Sequence, residues 1–482
     1  MARKAVFYIV LFFSISTIVY ISWTNLVLIS FPELRLSSEF WDPVFSTVPP
    51  TTTDPPGLTP IPVMYGSEFT KLPHWDFDDV YRTDRERHKT TQKCDNSLWT
   101  RIQAEPELKD KFIPNIRLYV YNGSISMSEW NRLSHFNNPF GFMNYKHQDV
   151  MSALNLVQKP KEPLLPPKPG RDCISCAVVG NGGILWRSKK GAEIDQHDYV
   201  FRVNGAVIRG FEEDVGRRTD VYVHTSFSIF ASEFNLKQYK YTAAPHDQGI
   251  KYVLIPEGMR DMDWLVGLYK RQRITNSSFD LFDGSRPWTY YSGRFNESRF
   301  YVLHMDFLRH VKNRFLKSET LDTIDWSIFR PTNGAFTMFL ALQLCDKVNA
   351  YGFVTDDYSK YSTYYYEREA KTDMVFFTNH DYDMERKLWR RLHDLGIINL
   401  YLGEPREPKT TQKPSKEEHR TPPKEEQNPS KEEQNPSKEE EAQNPRRKHR
   451  TPRRKQQNPR RKKHRTPRRK NRTPPKEAQK PN

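Results

Sequence analysis

Three groups of residues in this chain have types and spacings suited to chemistry. His380 and Glu385 stand five positions apart in His-Asp-Tyr-Asp-Met-Glu. A neutral imidazole has a pKa near ordinary operating pH, so it is suited to remove a hydroxyl proton, with the carboxylate supporting its loop or the helix start. Gly180-Asn181-Gly182-Gly183 is a loop whose missing Cβ atoms let backbone N–H groups approach a phosphate or a sugar. Cys173 and Cys176 form Cys-x-x-Cys, and Cys94 and Cys345 complete the set of four cysteines. Two disulfides, a redox pair and half a zinc site all fit that pattern, although a full zinc site needs a second close pair.

The elements that must hold these groups can be read around them. Ala177-Val178-Val179 is brief, β-branched and bounded by turn residues, so it reads as a buried strand running into the glycine loop. Ile184 onward has a pattern that starts a helix, whose positive end would face the loop. Tyr199–Val203 is a second apolar run and ends on Asn204. Strand, glycine loop, helix and strand suggest a nucleotide-binding α/β unit. Leu185 fills the place of the third glycine of a dinucleotide fingerprint, which argues against a dinucleotide. Farther on, Arg330-Pro331-Thr332-Asn333-Gly334 reads as a loop into a buried helix over 335–345, and 348–354 as a core strand. ERKLWRRLHDLG reads as a helix with Asp383 as N-cap and Gly396 as C-cap, so His380 precedes a helix.

The ends of the chain have other compositions. Residues 1–4 carry Arg3 and Lys4, and residues 5–31 hold no charged side chain. At about 1.5 Å per residue, 5–31 outspans a hydrocarbon core of about 30 Å. It reads as a signal-anchor with its positive end cytoplasmic and the remainder lumenal. Residues 32–91 cluster Pro, Ser and Thr and read as a stem, followed by a lumenal globular domain over 92–404, which the resemblance described below implies is catalytic. The formal charge of +16 is a property of residues 405–482, which hold 26 Lys/Arg against 11 Asp/Glu and so +15 of it. This repetitive tail has almost no apolar side chains and reads as disordered; with lumenal topology its basic runs imply no nucleic-acid partner. Asn122, Asn276 and Asn296 each open an Asn-x-Ser acceptor for glycosylation.

CAVVGNGGIL followed by IDQHDYVFRVNGAVIRGFEEDVGRRTD closely resembles the large sialyl motif of the eukaryotic sialyltransferases, in the variant of the α-N-acetylgalactosaminide α-2,6-sialyltransferases. Residues 330–354 resemble the small motif, Tyr364-Tyr365-Tyr366-Glu367 the third, and His380-x4-Glu385 the very small motif. The resemblance implies a modified Rossmann-type α/β fold, a GT-A-like variant with a largely parallel sheet. It implies inverting transfer of sialic acid from CMP-sialic acid to O6 of GalNAc on Ser/Thr of glycoproteins, without metal or other cofactor, on the lumenal side of the Golgi membrane. It assigns His380 as general base with Glu385 in support. It assigns donor contacts to Gly180, Asn181, Gly182, Asn204, Thr332, Asn333, Gly334, Tyr364 and Tyr365. Asn333 stands where the family usually has Ser or Thr, and Tyr364 where many members have His. The family pairing gives Cys176 with Cys345 and leaves Cys94 with Cys173. Asp-x-Asp triplets begin at Asp76, Asp261 and Asp381, but three residues say little in a chain with 59 acidic ones. Another acceptor such as galactose, or a catalytically silent glycan-binding homologue, are the alternatives.

Overall fold

The computed structural model describes residues 54–84, 94, 96–368, 370 and 372–403. The expected anchor at 5–31 and tail at 405–482 lie outside them. Among the described residues no helix is long and apolar enough to cross a membrane.

Among the described residues eight strands form one sheet: β1 (Tyr119–Val120), β2 (Ser175–Val179), β3 (Tyr199–Val203), β4 (Val221–His224), β5 (Lys251–Leu254), β6 (Phe300–Leu303), β7 (Lys347–Tyr351) and β8 (Asn399–Leu400). Their order is β1-β6-β5-β4-β3-β2-β7-β8, and every pairing is parallel except β1 with β6. β3 through β6 are buried at every position. That is why they read as continuous apolar runs rather than alternating ones. In register, Val178 lies between Phe201 of β3 and Ala350 of β7. The chain winds outward from β2 to β6 and then returns to β7 on the other side of β2. Such a reversal opens a crevice beyond the carboxyl ends of the strands, where ligands bind in sheets of this kind.

Helices α1 (Met127–Leu133) and α2 (Met305–Phe315) carry partners of residues 54–84, and α3 (Asn333–Leu344) and α4 (Tyr382–Asp394) bear on that crevice. Ala335 through Gln343 are all buried, so α3 is apolar all round and packs against β2, β3, β4 and β7. Cys176 and Cys345 form a disulfide with Cα atoms 6.2 Å apart, tying β2 to the residue that closes α3. Cys94 pairs with Cys173 at 5.1 Å. Both pairings are those the resemblance implied.

Four expectations change. The glycine loop leads into a single 3-10 turn, Gly183–Leu185, and not into a helix. Arg187 and Lys189 take positive φ, and the Asp214 carboxylate accepts from both of their amides, so the chain bends away where a helix would continue. The N-cap of α4 is Asp381, whose side chain accepts from Met384 N at 3.0 Å, and Asp383 lies inside the first turn. β7 ends at Tyr351 because Gly352 turns at φ +70°. Finally, 54–84 of the expected stem packs on the folded unit. Lys312 of α2 makes a buried ion pair with Asp76, Arg82 N donates to Asp306 Oδ2 at 2.8 Å, and Leu72 joins Met143, Leu321, Trp326 and Phe329 in an apolar cluster. The clustered prolines near residue 50 masked a different composition over 64–81, where Met64, Phe69, Leu72, Trp75, Phe77 and Tyr81 supply side chains to bury.

Candidate active site

The glycine loop is shaped by its fit to β7. Gly180 N donates to Tyr351 O at 2.8 Å and Gly182 N to Gly352 O at 2.9 Å. A Cβ on Gly180 would lie 2.6 Å from Gly352 O, and one on Gly182 2.7 Å from the same atom. Glycine is therefore required by backbone lying on backbone, and the amides of Gly180 and Gly182 are already engaged within the protein. Between them, Asn181 O accepts from Tyr365 N at 3.1 Å, and Gly182 forms a β-bridge with Tyr364. Asn181 Nδ2 donates to Val203 O at 3.2 Å, which sets it against the end of β3. Asn204 follows in the left-handed region at φ +54°, a conformation that Asn tolerates better than most residues.

The N-terminus of α3 meets the same edge. Thr332 is its N-cap: the hydroxyl accepts from Ala335 N at 3.0 Å and donates to Glu385 Oε2 at 2.7 Å, while Thr332 N donates to Glu385 Oε1 at 2.7 Å. Glu385 thus clamps α4 to the start of α3. Burial pushes its carboxyl up to about 7, against the opposing pull of the Thr332 hydrogen bonds and Arg330. Arg330 pairs with the largely buried Glu257 and donates from Nη2 to Asn333 Oδ1 at 2.8 Å. Asn333 Nδ2 in turn donates to Asn204 Oδ1 at 2.7 Å.

His380 stands at the other side of Arg330, one residue before the N-cap of α4. Its Nδ1 lies 2.8 Å from Arg330 O. A carbonyl can only accept, so Nδ1 carries the hydrogen and Nε2 keeps its lone pair. Burial, reinforced by the Arg330 charge, lowers the imidazole to about 4. The ring is therefore neutral near pH 7 and has the protonation state of a base. Tyr382 packs its ring edgewise on the imidazole at 5.6 Å, and Ser318 Oγ holds Asp381 at 2.8 Å.

The structure therefore gathers Gly180, Asn181, Gly182, Asn204, Thr332, Asn333, Gly334, Tyr364, His380 and Glu385 beyond the ends of β2, β3 and β7. Tyr364 is half-buried there, with its ring stacked on Tyr366 at 5.1 Å. Tyr365 differs: it is buried, and its hydroxyl donates to Val207 O at 2.7 Å, so its side chain supports the loop from below. Asn122, Asn276 and Asn296 are all exposed. In the Asp-x-Asp triplets, Asp76 pairs with Lys312, Asp261 accepts from Ser226 N, Asp263 from Ser278 N, Asp381 from Met384 N, and Asp383 pairs with Lys387. Those carboxylates have donors within the protein. Glu257 and Gly352 were missed from sequence. Each directly follows or nearly follows a core strand, and that position beyond a strand's carboxyl end was the available signal.

Residues 119–397 match the model of glycosyltransferase family 29 (sialyltransferase). The chain belongs to that family. It is 42% identical over 339 residues to alpha-N-acetylgalactosaminide alpha-2,6-sialyltransferase 1 of Mus musculus, covering 70% of this chain and 64% of that protein. The Gallus gallus protein of the same name is 42% identical over 341 residues, covering 70% and 59%. Alpha-N-acetylgalactosaminide alpha-2,6-sialyltransferase 2 of Homo sapiens is 38% identical over 320 residues, covering 64% and 83%. The chain thus spans about three-fifths of the length of the first of these relatives.

Proposed function

We propose that this protein transfers sialic acid from CMP-sialic acid to O6 of a GalNAc linked to Ser or Thr of a glycoprotein, with inversion at the anomeric carbon. We further read the sheet as the GT-A-like Rossmann variant of the family, and the whole as a type II protein anchored by 5–31 in the Golgi membrane. One observation carries the catalytic reading: a neutral histidine, its tautomer set by Arg330 O, shares that residue with the Asn333–Asn204 pair at the sheet's reversal. In the proposed reaction the acceptor O6 attacks the anomeric carbon from the face opposite the phosphate. The O6 proton passes to His380 Nε2, the new C–O bond forms as the bond to phosphate breaks, and CMP leaves with the electron pair. The names of the relatives support GalNAc as acceptor and the α-2,6 linkage.

The test is transfer from CMP-sialic acid to a panel of GalNAc-Ser/Thr, Gal-GalNAc and galactose acceptors with linkage mapping of the product. An α-2,6-linked GalNAc product is expected. A product on galactose corrects the acceptor, and binding without any product overturns the enzymatic reading. His380→Ala should lower kcat by about 10²–10⁴ while CMP affinity stays within about threefold; unchanged turnover removes His380 from the reaction.

A further inference from the structure

We propose that Arg330 and Asn333 are positioning residues, which fix the amide of Asn204 with its NH2 group turned toward the donor nucleotide. The proposal rests on the donor-site reading above. It follows from hydrogen-bond polarity along a chain of four side chains. Glu257 keeps only 10% of its side chain exposed and forms ion pairs with both Arg330 and Arg260, so Arg330 cannot swing away without leaving a largely buried carboxylate short of a partner. A guanidinium has N–H donors and no acceptor. The atom of Asn333 that faces Arg330 Nη2 at 2.8 Å is therefore its oxygen, Oδ1. The NH2 of Asn333 is then directed to Asn204 at 2.7 Å, and the atom that receives it must be Asn204 Oδ1. With its oxygen held, Asn204 presents its NH2 end outside the relay. An NH2 group can bind a phosphate oxygen or a base carbonyl of a nucleotide; an amide oxygen in that place would repel both.

The backbone of Asn204 has no freedom to undo this arrangement. Its N donates to Val223 O at 3.2 Å, and its O accepts from Ala206 N at 2.9 Å and from the Tyr222 hydroxyl. Only the side-chain torsions remain, and Asn333 sets them. Arg330 meanwhile uses its main chain on the other half of the site: its carbonyl accepts from His380 Nδ1, and its N donates to Asn379 O at 3.0 Å. One residue orients both the donor-side amide and the base. In this reading Asn333, expected from the resemblance to touch the donor, acts through Asn204 instead.

A double-mutant cycle on CMP affinity, measured by titration calorimetry, separates the two roles. Asn333→Ala is expected to weaken CMP binding about 10–100-fold, the scale of one hydrogen bond to a charged group. In an Asn204→Ala background the same change should weaken it less than about twofold, because the group it positions is gone. Asn333→Ser serves the same cycle if the alanine chain does not fold. Donor KM should follow the affinity, with kcat changing less. Full losses in both backgrounds would mean that Asn333 binds the donor directly and would overturn the relay, as would no loss in either. A wild-type chain that does not bind CMP would overturn the donor-site reading and the relay with it. Wild-type binding with additive losses overturns the relay alone.

Discussion

His380 is neutral for a structural reason, and that reason has a measurable consequence. Its imidazole is lowered to about 4 by burial and by Arg330. If His380 is the base proposed above, it works only when unprotonated, so kcat/KM, which reports the free enzyme, should lose activity to His380 protonation near pH 4 and not near 6.5. A limb at the ordinary histidine value would show that the imidazole is more exposed to water than the structure has it. Glu385 shifts in the opposite direction, up to about 7 from an ordinary 4.5. The native carboxyl holds its proton where the unfolded chain releases it, so this contribution is fully present below about 4.5 and is lost as pH rises through about 7. Glu385→Gln can accept from Thr332 N and, with its NH2 turned to Thr332 Oγ, donate where the carboxylate accepted, without the charge. Its stability relative to wild type should therefore climb by roughly 2–3 kcal/mol between pH 4.5 and 8, read as the difference between denaturation midpoints across that range. A flat difference would disprove the shift. At this scale the sequence was informative about which residues gather and less so about what they do. His380 and Asn204 could be picked out by motif. The burial of the Tyr365 hydroxyl against Val207 O could not, because a phenol reads the same whether it points to a ligand or to a carbonyl 158 positions away.

Among the elements, the apposition of the glycine loop and the turn after β7 controls the shape of the site. Gly352 has φ +70°, and a Cβ there would meet Leu185 Cδ1 at 2.6 Å and Gly180 O at 2.9 Å. Gly352→Ala combines a left-handed backbone with backbone contact, so a loss of about 2–4 kcal/mol is expected in chemical denaturation. Donor KM should rise with it, because Asn181 rides on the displaced loop. An alanine variant with unchanged midpoint and KM would remove this packing from the argument. The core strands and α3 were readable because parallel strands buried on both faces, and a helix buried all round, leave uninterrupted apolar runs. The helix expected after the glycine loop failed because the Asp214 carboxylate captures the amides of Arg187 and Lys189, a partner 25 or more positions distant. The N-cap slipped from Asp383 to Asp381 for a similar reason. Both can cap, and Ser318 Oγ, far off in sequence, helps hold the first.

At the scale of the molecule, 54–84 belongs to the folded body. Lys312 and Asp76 are both essentially inaccessible to water. Asp76→Ala leaves an uncompensated buried ammonium, and unfolding should be easier by about 3–5 kcal/mol. A chain begun at residue 92 should be destabilised at least as much as that variant, whereas one begun at 54 should keep full stability in the same denaturation assay. Equal midpoints for the two truncations would show that the segment adds nothing. Composition hid this boundary because proline-rich text runs directly into it, and burial of scattered aromatics depends on grooves that only the tertiary fold creates.

On the proposed anchoring, that packing also limits how far the candidate site can stand from a bilayer. Asp54 already accepts from the amides of Met127 and Ser128 at the start of α1. On the proposed anchoring, only residues 32–53 can serve as tether, in place of 32–91. Fully drawn out, 22 residues reach no more than about 75 Å and 60 residues about 210 Å. If the proposed transfer and anchoring both hold, the site would work a shallow layer above the membrane, and glycoproteins whose Ser/Thr-linked sugars pass through that layer would be sialylated in preference to those farther out in the lumen.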